Sequence, residues 1–325
     1  MTICLYDPQY GYYTTRSPIG AKGDFITAPE ISQMFGEMIG VWVTSCWREL
    51  GRPKTFDLIE LGPGRGTLMK DLLRVLAKSP ELIAALKVKM VETNPHFRAM
   101  QANVIEGFDC EWFDNVSEAL SGDAPIILIA NEFLDCLPIK QFRKTENSWQ
   151  EIKIILEPNG NLNFAAQNIN QSPSITAKAP IGAIFELAPA LPAIIEAISQ
   201  ALKQLGGMAL FVDYGHYGGE YGDSLQALHK HEKVSPLSQI GEADLTAHVD
   251  FAAVAECAKM QAIDVNGPIT QRELLLGLGI EVRANALCSA NPERSREIRG
   301  ALSRLIDHDQ MGDLFKAIIL KGTAL

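Results

Sequence analysis

Residues 56–67 read FDLIELGPGRGT, an apolar run that passes directly into three closely spaced glycines. A run of this length is typical of a buried strand, and apolar periodicity over residues 67–77 predicts a helix after it. Gly62 would allow a tight turn, while Gly64 and Gly66 would let a ligand approach the backbone closely. The stretch therefore predicts a ligand-binding turn between a strand and a helix.

Further strands alternate with helical segments along the chain. The predicted strands lie at 87–93, 110–113, 126–130, 208–215 and 314–322. Strands that alternate with helices indicate a mostly parallel sheet covered by helices on both faces. We therefore expect a single doubly wound α/β domain that takes up the whole chain, residues 1–325.

Segments that do not follow this alternation of strands and helices are expected to be additions to the core of that domain. Residues 1–55 predict helices before the first core strand, and residues 141–182 predict a β-hairpin that turns near Asn159, followed by a loop. Residues 216–247 are rich in Gly, His and Tyr without clear periodicity, so we expect an irregular excursion there. The charged stretch 292–308 predicts a solvent-facing helix.

The composition narrows the function classes. The 325 residues carry a formal net charge of −10, which disfavours binding to nucleic acid phosphates. Six cysteines occur without metal-finger or redox spacing, and the close pair His229 and His231 lacks a third ligand, so we expect reduced thiols and no metal site. The sequence shows no apolar run of membrane-spanning length and no secretory or transit pattern, which favours a cytoplasmic location.

The glycine spacing decides between ligands. A dinucleotide fingerprint needs a glycine where this chain has Thr67, and the pattern of a nucleoside-triphosphate loop is absent as well. Glu92 ends the second predicted strand. There it would either accept hydrogen bonds from two ribose hydroxyls or merely precede a helix cap. A glycine loop followed by such an acid resembles the class I S-adenosyl-L-methionine-dependent methyltransferases. The resemblance implies S-adenosyl-L-methionine as the cofactor, a role for Glu60 beside the loop, and a Rossmann-like seven-stranded sheet whose last strand is antiparallel.

Longer stretches resemble one family in particular, the MidA family. They are LYDPQYGYY (5–13), GDFITAPEISQMFGEMIGVW (23–42), ELGPGRGTLMKDLLR (60–74), NEFLDCLP (131–138), VDYG (212–215) and LTAHVDF (245–251). Mitochondrial members of this family are protein-arginine methyltransferases that assist the assembly of respiratory complex I. The resemblance implies a protein substrate, with a complex I subunit as one option, and a mitochondrial matrix location if a presequence has been removed.

The segment GDFITAPE is expected to act as a lid. In the family this loop would fold over the cofactor, which places Gly23, Asp24 and Thr27 among the cofactor-binding residues. A lid that excludes water suits a sulfonium methyl donor. The alternative is a loop that only starts the helix after Pro29.

Acidic side chains follow the fourth predicted strand in the sequence IILIANEFLDCLP (126–138). Because ligands bind beyond the carboxyl ends of parallel strands, Asn131, Glu132 and Asp135 are the candidate catalytic residues. Carboxylates can hold a guanidinium, shift its charge away from the attacking nitrogen and receive the released proton. Asn131 would orient the acceptor or contact the cofactor. The alternative for the two acids is a solvated helix start.

The remaining candidates would shape the substrate groove. Phe133 would wall the groove and Pro138 would fix its loop, while Asp213 and Tyr214 at the next strand end would line it or simply end the strand. His248 is assigned to the groove, with the excursion 216–247 as one wall. The apolar residues of the N-terminal helix and of the hairpin are compatible with a homodimer face or with core.

Two other functions remain open at this point. One is an assembly factor that binds the cofactor without turnover, and the other is an NAD-dependent oxidoreductase, which Thr67 disfavours.

Overall fold

The computed structural model describes residues 1–15, 26–169 and 179–322. Helices precede the first strand: α1 (Thr2–Tyr6), α2 (Tyr12–Thr15), α3 (Ala28–Ile31) and α4 (Gln33–Glu49). The first half of the core alternates strands and helices: β1 (Phe56–Leu61), α5 (Thr67–Leu76), α6 (Pro80–Ala85), β2 (Leu86–Val91), α7 (Pro95–Val104), β3 (Cys110–Phe113), α8 (Val116–Ala119) and β4 (Ile126–Asn131).

The second half of the chain contains both insertions and the end of the core. The first insertion holds β5 (Lys140–Lys144), β6 (Trp149–Leu156), β7 (Leu162–Asn168) and β8 (Ile184–Leu187), and the core resumes with α9 (Leu191–Leu205) and β9 (Gly207–His216). Then come β10 (Gln226–His229), β11 (Glu232–Val234), β12 (Asp244–Thr246), β13 (Val249–Asp250), α10 (Phe251–Met260) and β14 (Asp264–Thr270). The chain continues through α11 (Gln271–Gly277), α12 (Ile280–Ala290), a 3₁₀ turn (Pro292–Arg294), α13 (Ser295–Ile306), α14 (Met311–Leu314) and β15 (Phe315–Gly322).

The central sheet has the strand order β14-β15-β9-β4-β1-β2-β3, with the short β13 beside the end of β9. Neighbours from β9 to β3 are parallel, whereas β15 runs antiparallel to both β9 and β14. β1 and β4 are the inner strands, and every residue of β1 is buried, which explains their continuous apolar runs. The expected doubly wound sheet with an antiparallel last strand beside the fifth core strand is confirmed.

Helices cover both faces of this sheet. One core cluster joins the sheet to α4, α5, α11 and α12, and the other joins the opposite face to α9 and α10. The helix α4 buries Phe35 and Ile39 completely, so the later part of the predicted N-terminal segment 1–55 belongs to the core. Within the described residues, no helix is both long and apolar enough to cross a membrane.

The structure differs from expectation in the two insertions and near the C-terminus. The predicted hairpin is the β6–β7 pair at one edge of a four-stranded antiparallel sheet, β7-β6-β5-β8, and the excursion folds as the three-stranded sheet β11-β10-β12. The strands of the excursion have only three or four residues each, so alternation within each one is too brief to be recognised. The helix α12 was not predicted because its buried stripe consists of Ile280, Ala284 and Cys288, of which only the first is strongly apolar.

Candidate active site

The glycine turn after β1 adopts backbone conformations that favour glycine. The φ angles of Gly62, Gly64 and Gly66 are 63°, 52° and 79°, in the left-handed region. A Cβ atom on Gly62 would lie 3.1 Å from Cδ2 of Phe133, so a side chain here would press on the loop after β4. The turn thus keeps an open space above the carboxyl ends of β1 and β4.

A cavity of about 290 Å³ occupies that space; we call it the cofactor cavity. Five segments line it: the N-terminal region, the glycine turn, and the ends of β2, β3 and β4. Its lining residues include Tyr6, Tyr13, Thr27, Pro29, Glu30, Glu60, Gly62, Gly64, Thr67, Glu92, Asp114, Asn115, Val116, Asn131, Glu132, Phe133 and Cys136. The cavity therefore runs along the carboxyl edge of the sheet, where ligands of open α/β sheets bind.

Two buried oxygens in the cavity wall have no hydrogen-bond partner among the described residues. They are Oε2 of Glu60 and Oδ1 of Asn131. Glu60 is 3% exposed, and burial raises the pKa of its carboxyl group to about 8. An unsatisfied buried acceptor is costly, so both atoms call for a ligand that donates hydrogen bonds.

Glu92 presents its carboxylate at the end of β2. Its Oε1 accepts the backbone N–H of Asn94 at 2.8 Å, and its Oε2 lies 3.4 Å from Nε2 of Gln101. Burial raises the pKa of Glu92, and those donors oppose the rise. Asn94 caps α7 through the N–H of His96, so the side chain of Glu92 is held at the cavity wall rather than used as the cap itself.

Glu132 lies directly after β4 with a φ of 49°, which is uncommon for a residue other than glycine. Its Oε1 accepts the N–H of Ala28 at 3.0 Å and Nδ2 of Asn131 at 3.1 Å. Burial raises the pKa of its carboxyl group to about 8, and Asp135 adds to the rise. A strained backbone that carries a partly buried acid over a cavity points to a functional residue.

The comparisons with known proteins agree with this geometry. Residues 38–269 match a sequence model of the family described as "Putative S-adenosyl-L-methionine-dependent methyltransferase". The chain belongs to this methyltransferase family. The match covers the glycine turn, β4 and the strand ends that line the cofactor cavity, so the family recognised in the sequence is confirmed, and with it S-adenosyl-L-methionine as the cofactor.

Curated relatives match the methyltransferase over nearly its full length. "Protein arginine methyltransferase NDUFAF7, mitochondrial" of Danio rerio is 34% identical over 350 residues, which cover 100% of this chain and 82% of the relative. The protein of the same name from Homo sapiens is 32% identical, over 98% of this chain and 78% of its own length.

Solved structures support the fold. A crystal structure from Burkholderia thailandensis, described as bound to S-adenosyl-homocysteine, superposes with a TM-score of 0.86 at 24% identity, covering 100% of this chain and 87% of that one. A native crystal structure from the same organism gives a TM-score of 0.85 at 25% identity over the same shares.

The described residues of the methyltransferase fit the cofactor. Glu60 and Asn131 offer unsatisfied acceptors, the glycine turn has no side chain to fill the space, and Glu92 offers a carboxylate at the next strand end. Sequence reasoning missed the segment Asp114–Val116, which follows β3 at the same edge and lines the far end of the cavity. Its position after the third strand was the available signal.

The predicted lid lies partly within the described residues. Thr27, with Pro29 and Glu30, lines the cofactor cavity, and the N–H of Ala28 reaches Glu132. Glu30 accepts a hydrogen bond from the hydroxyl of Thr67, which ties this segment to the start of α5. Gly23 and Asp24 lie outside the described residues.

Asp213 supports the loop after β4 instead of lining either large cavity. Its Oδ2 accepts the backbone N–H groups of Phe133, Leu134 and Asp135 at 3.1, 2.9 and 3.2 Å. Three consecutive N–H groups around one oxygen form an anion-binding nest. Burial and the nearby Asp135 and Glu132 raise the pKa of Asp213, whereas the N–H groups of Leu134 and Asp135 oppose the rise.

Asp135 lies behind the cavity wall. It is 7% exposed, and burial raises the pKa of its carboxyl group to about 6, with the hydrogen bond from Tyr214 opposing the rise. Tyr214 packs edge-on against His248, with 5.6 Å between ring centroids. Neither acid starts a helix, because residues 132–139 form a turn after β4. Asp135, Tyr214 and Pro138 are not among the residues that line the two cavities described here.

A second cavity of about 550 Å³ lies on the other side of the loop after β4. Leu134 and Leu137 form part of its wall, and His248 lines it together with residues of both insertions. Burial and the neighbouring His216 lower the pKa of His248, which favours the neutral ring. The predicted groove residues therefore separate: Phe133 faces the cofactor cavity and His248 faces the second one.

Proposed function

We propose that this methyltransferase transfers a methyl group from S-adenosyl-L-methionine to an arginine side chain of a protein. The observation that carries the proposal is the position of Glu132, an acid directly after the carboxyl end of β4 that lines the cofactor cavity. None of the ion pairs among the described residues involves Glu132. A cationic substrate group would supply the counter-charge that an ionised Glu132 lacks.

The cofactor would lie along the carboxyl edge of the sheet. Glu60 would accept a hydrogen bond from the ammonium group of the cofactor, and the glycine turn would contact the amino-acid end of the cofactor. Glu92 would accept hydrogen bonds from the ribose hydroxyls. The segment 114–116 would then contact the base. When bound, the cofactor supplies a methyl group on a positively charged sulfur.

Glu132 and Asn131 would act on the acceptor. A guanidinium that enters beside Glu132 stabilises the ionised carboxylate and so reverses the rise in its pKa. The carboxylate holds one edge of the guanidinium, leaves another nitrogen free to attack, and receives the proton that this nitrogen loses. Asn131 would orient the acceptor through Oδ1, which otherwise lacks a donor.

Asp135, Asp213 and Tyr214 would then be positioning residues. Asp213 holds the turn that carries Glu132, and Asp135 fixes Tyr214 from the same turn. We propose that the second cavity receives chain segments of the substrate next to the modified arginine. This assigns the groove role to His248 and to residues of the excursion 216–247.

Labelled methyl transfer tests the function. The protein is incubated with S-adenosyl-L-methionine that carries a tritiated methyl group and with an extract from cells that lack this methyltransferase. The labelled protein is then hydrolysed for amino-acid analysis. We expect label in methylarginine, and its loss with Glu132→Gln but not with Glu111→Gln, which replaces an exposed residue of β3. Label on another amino acid would refute the arginine proposal. Tight cofactor binding with no label would favour the assembly-factor alternative.

The partners and the location are further proposals. The family resemblance favours a respiratory complex I subunit as the substrate, which co-purification from a respiring cell would test. The apolar face of β6 and β7, with Ile154, Leu156 and Phe164 exposed, supports the homodimer option, and sedimentation of Phe164→Glu tests it. The cytoplasmic expectation has no support from the relatives, which are named as mitochondrial and so favour the mitochondrial alternative. Fractionation of the source cells decides between these locations.

A further inference from the structure

Two tyrosines from the N-terminal region line the cofactor cavity on the side of Glu132 and Cys136. Tyr6 ends α1, and Tyr13 lies in α2. Their ring centroids are 6.0 Å apart and the ring planes are inclined by 30°, so the two rings are neighbours in the cavity wall. We call this pair the tyrosine wall.

The chain between the two tyrosines brings them together. The carboxylate of Asp7 accepts the N–H groups of Gln9 and Tyr10, both at 2.9 Å, and makes a tight turn. A Cβ atom on Gly11 would lie 2.6 Å from the backbone nitrogen and oxygen of Asp7, so only glycine allows this close return. The stretch LYDPQYGYY is thus built to place residues 6 and 13 side by side.

Both phenol groups are held by hydrogen bonds to later parts of the chain. The hydroxyl of Tyr6 donates to the carbonyl of Cys136 at 2.8 Å, and that carbonyl belongs to the turn that carries Glu132. The hydroxyl of Tyr13 donates to Oδ1 of Asp244 at 2.7 Å. Burial and the nearby acidic groups raise the pKa of both phenols, so both rings stay neutral. These bonds fix the polar edge of each ring, so the hydroxyls are occupied.

We propose that the tyrosine wall recognises the planar cation of the acceptor and selects arginine over lysine; this inference rests on the proposed function. A guanidinium can stack flat on an aromatic surface while its edge meets a carboxylate, here that of Glu132. An ammonium group has no planar face to stack. The wall also makes the N-terminal region part of the acceptor site, a role separate from the lid that covers the cofactor.

Ligand binding without turnover tests the wall. The enzyme is saturated with S-adenosyl-homocysteine, and N-acetyl-arginine methylamide or its lysine counterpart is titrated and followed by ligand-observed NMR. Tyr6→Leu and Tyr13→Leu remove a ring each, and Tyr6→Phe keeps the ring. Tyr10→Leu is the matched control, since Tyr10 belongs to the same turn and is 73% exposed.

We expect the arginine compound to bind the wild-type complex more tightly than the lysine compound. Each leucine variant should weaken the arginine compound by roughly 2- to 30-fold, and change the lysine compound less. Tyr6→Phe, which keeps the ring but loses the bond that fixes it, should weaken the arginine compound less than Tyr6→Leu, and Tyr10→Leu should bind like wild type. In every variant the affinity for S-adenosyl-homocysteine should change less than the affinity for the arginine compound. Leucine variants that keep both affinities would overturn the inference, as would a wild-type complex that does not bind the arginine compound. Failure of the wild type to bind S-adenosyl-homocysteine would instead refute the proposed function.

Discussion

Replacing Glu132 by glutamine is expected to lower activity and raise stability at the same time. Glutamine has nearly the same shape, and its amide oxygen can still accept the N–H of Ala28 and Nδ2 of Asn131, which now bond Oε1. It cannot hold a guanidinium through a charge or receive a proton. We therefore expect methyl transfer to fall by about 10²-fold or more.

The stability change follows from the pKa of Glu132. Burial raises that pKa from 4.5 to about 8 in the folded protein. Below pH 4.5 the carboxyl group is protonated in both states and has little effect. Between pH 4.5 and 8 the unfolded chain releases the proton and the folded protein keeps it, so the free energy of unfolding falls as the pH rises. At pH 7 this amounts to about 3 kcal/mol at most, since each pKa unit corresponds to about 1.4 kcal/mol.

Urea unfolding at several pH values measures this difference. We expect wild type and Glu132→Gln to have similar free energies of unfolding near pH 4, and the variant to be increasingly more stable up to pH 8. Glu111→Gln, at an exposed position, should follow wild type throughout. A variant that is less stable than wild type at pH 8, or a difference that does not change with pH, would refute this account of Glu132.

Other substitutions test the remaining parts of the site. Gly62→Ala places a Cβ atom 3.1 Å from Phe133 at a φ of 63°, so we expect about 1 kcal/mol lower stability and at least about 10-fold weaker calorimetric binding of S-adenosyl-homocysteine; equal affinity would contradict this. Glu92→Ala should weaken the same binding by about 10- to 100-fold through lost hydrogen bonds to the ribose, and unchanged binding would remove that role. Asp213→Asn replaces one of the two carboxylate oxygens that accept hydrogen bonds from Tyr214 and from the turn after β4. We expect the free energy of unfolding in urea to fall by about 1–3 kcal/mol, and an unchanged midpoint would contradict the role of Asp213 as a positioning residue.

The sequence predicts the inner part of the fold well because burial on both faces leaves a strong pattern. The apolar run before the glycine turn forms β1, the predicted strand 110–113 agrees with β3, and the antiparallel last strand is found where the family resemblance puts it. The four-stranded sheet of residues 140–187 was only half recognised. Its outer strand Ile184–Leu187 has four residues and pairs with Lys140–Lys144 across the 39 residues 145–183, a pairing that no local pattern reveals.

The residues of the candidate site could also be predicted only in part from the sequence. Glu92 and Glu132 could be selected from the sequence because each lies at a strand end, and strand ends of a parallel sheet meet at one edge, whereas the role of Glu60 came from the family resemblance. The relation of Asp213 to residues 133–135 could not be selected, since it depends on the register of β4 beside β9. Tyr6 and Tyr13 belong to a stretch that resembles the family, but the sequence predicts no role for them. Their contacts reach Cys136 and Asp244, far along the chain.

The loop after β4 explains why a buried strand ends in acid. Asp213 accepts hydrogen bonds from three backbone N–H groups of this loop, and it thereby holds the loop in which Glu132 has a left-handed conformation above the glycine turn. The same loop supplies the carbonyl that holds Tyr6. Among the described residues, no ion pair involves Glu132, Asp135 or Asp213, so the loop concentrates acidic groups without a cation of its own. Such an arrangement is unfavourable in the free protein and becomes favourable when a cationic side chain enters, which is the property required of a site that must bind a guanidinium tightly enough to remove its proton.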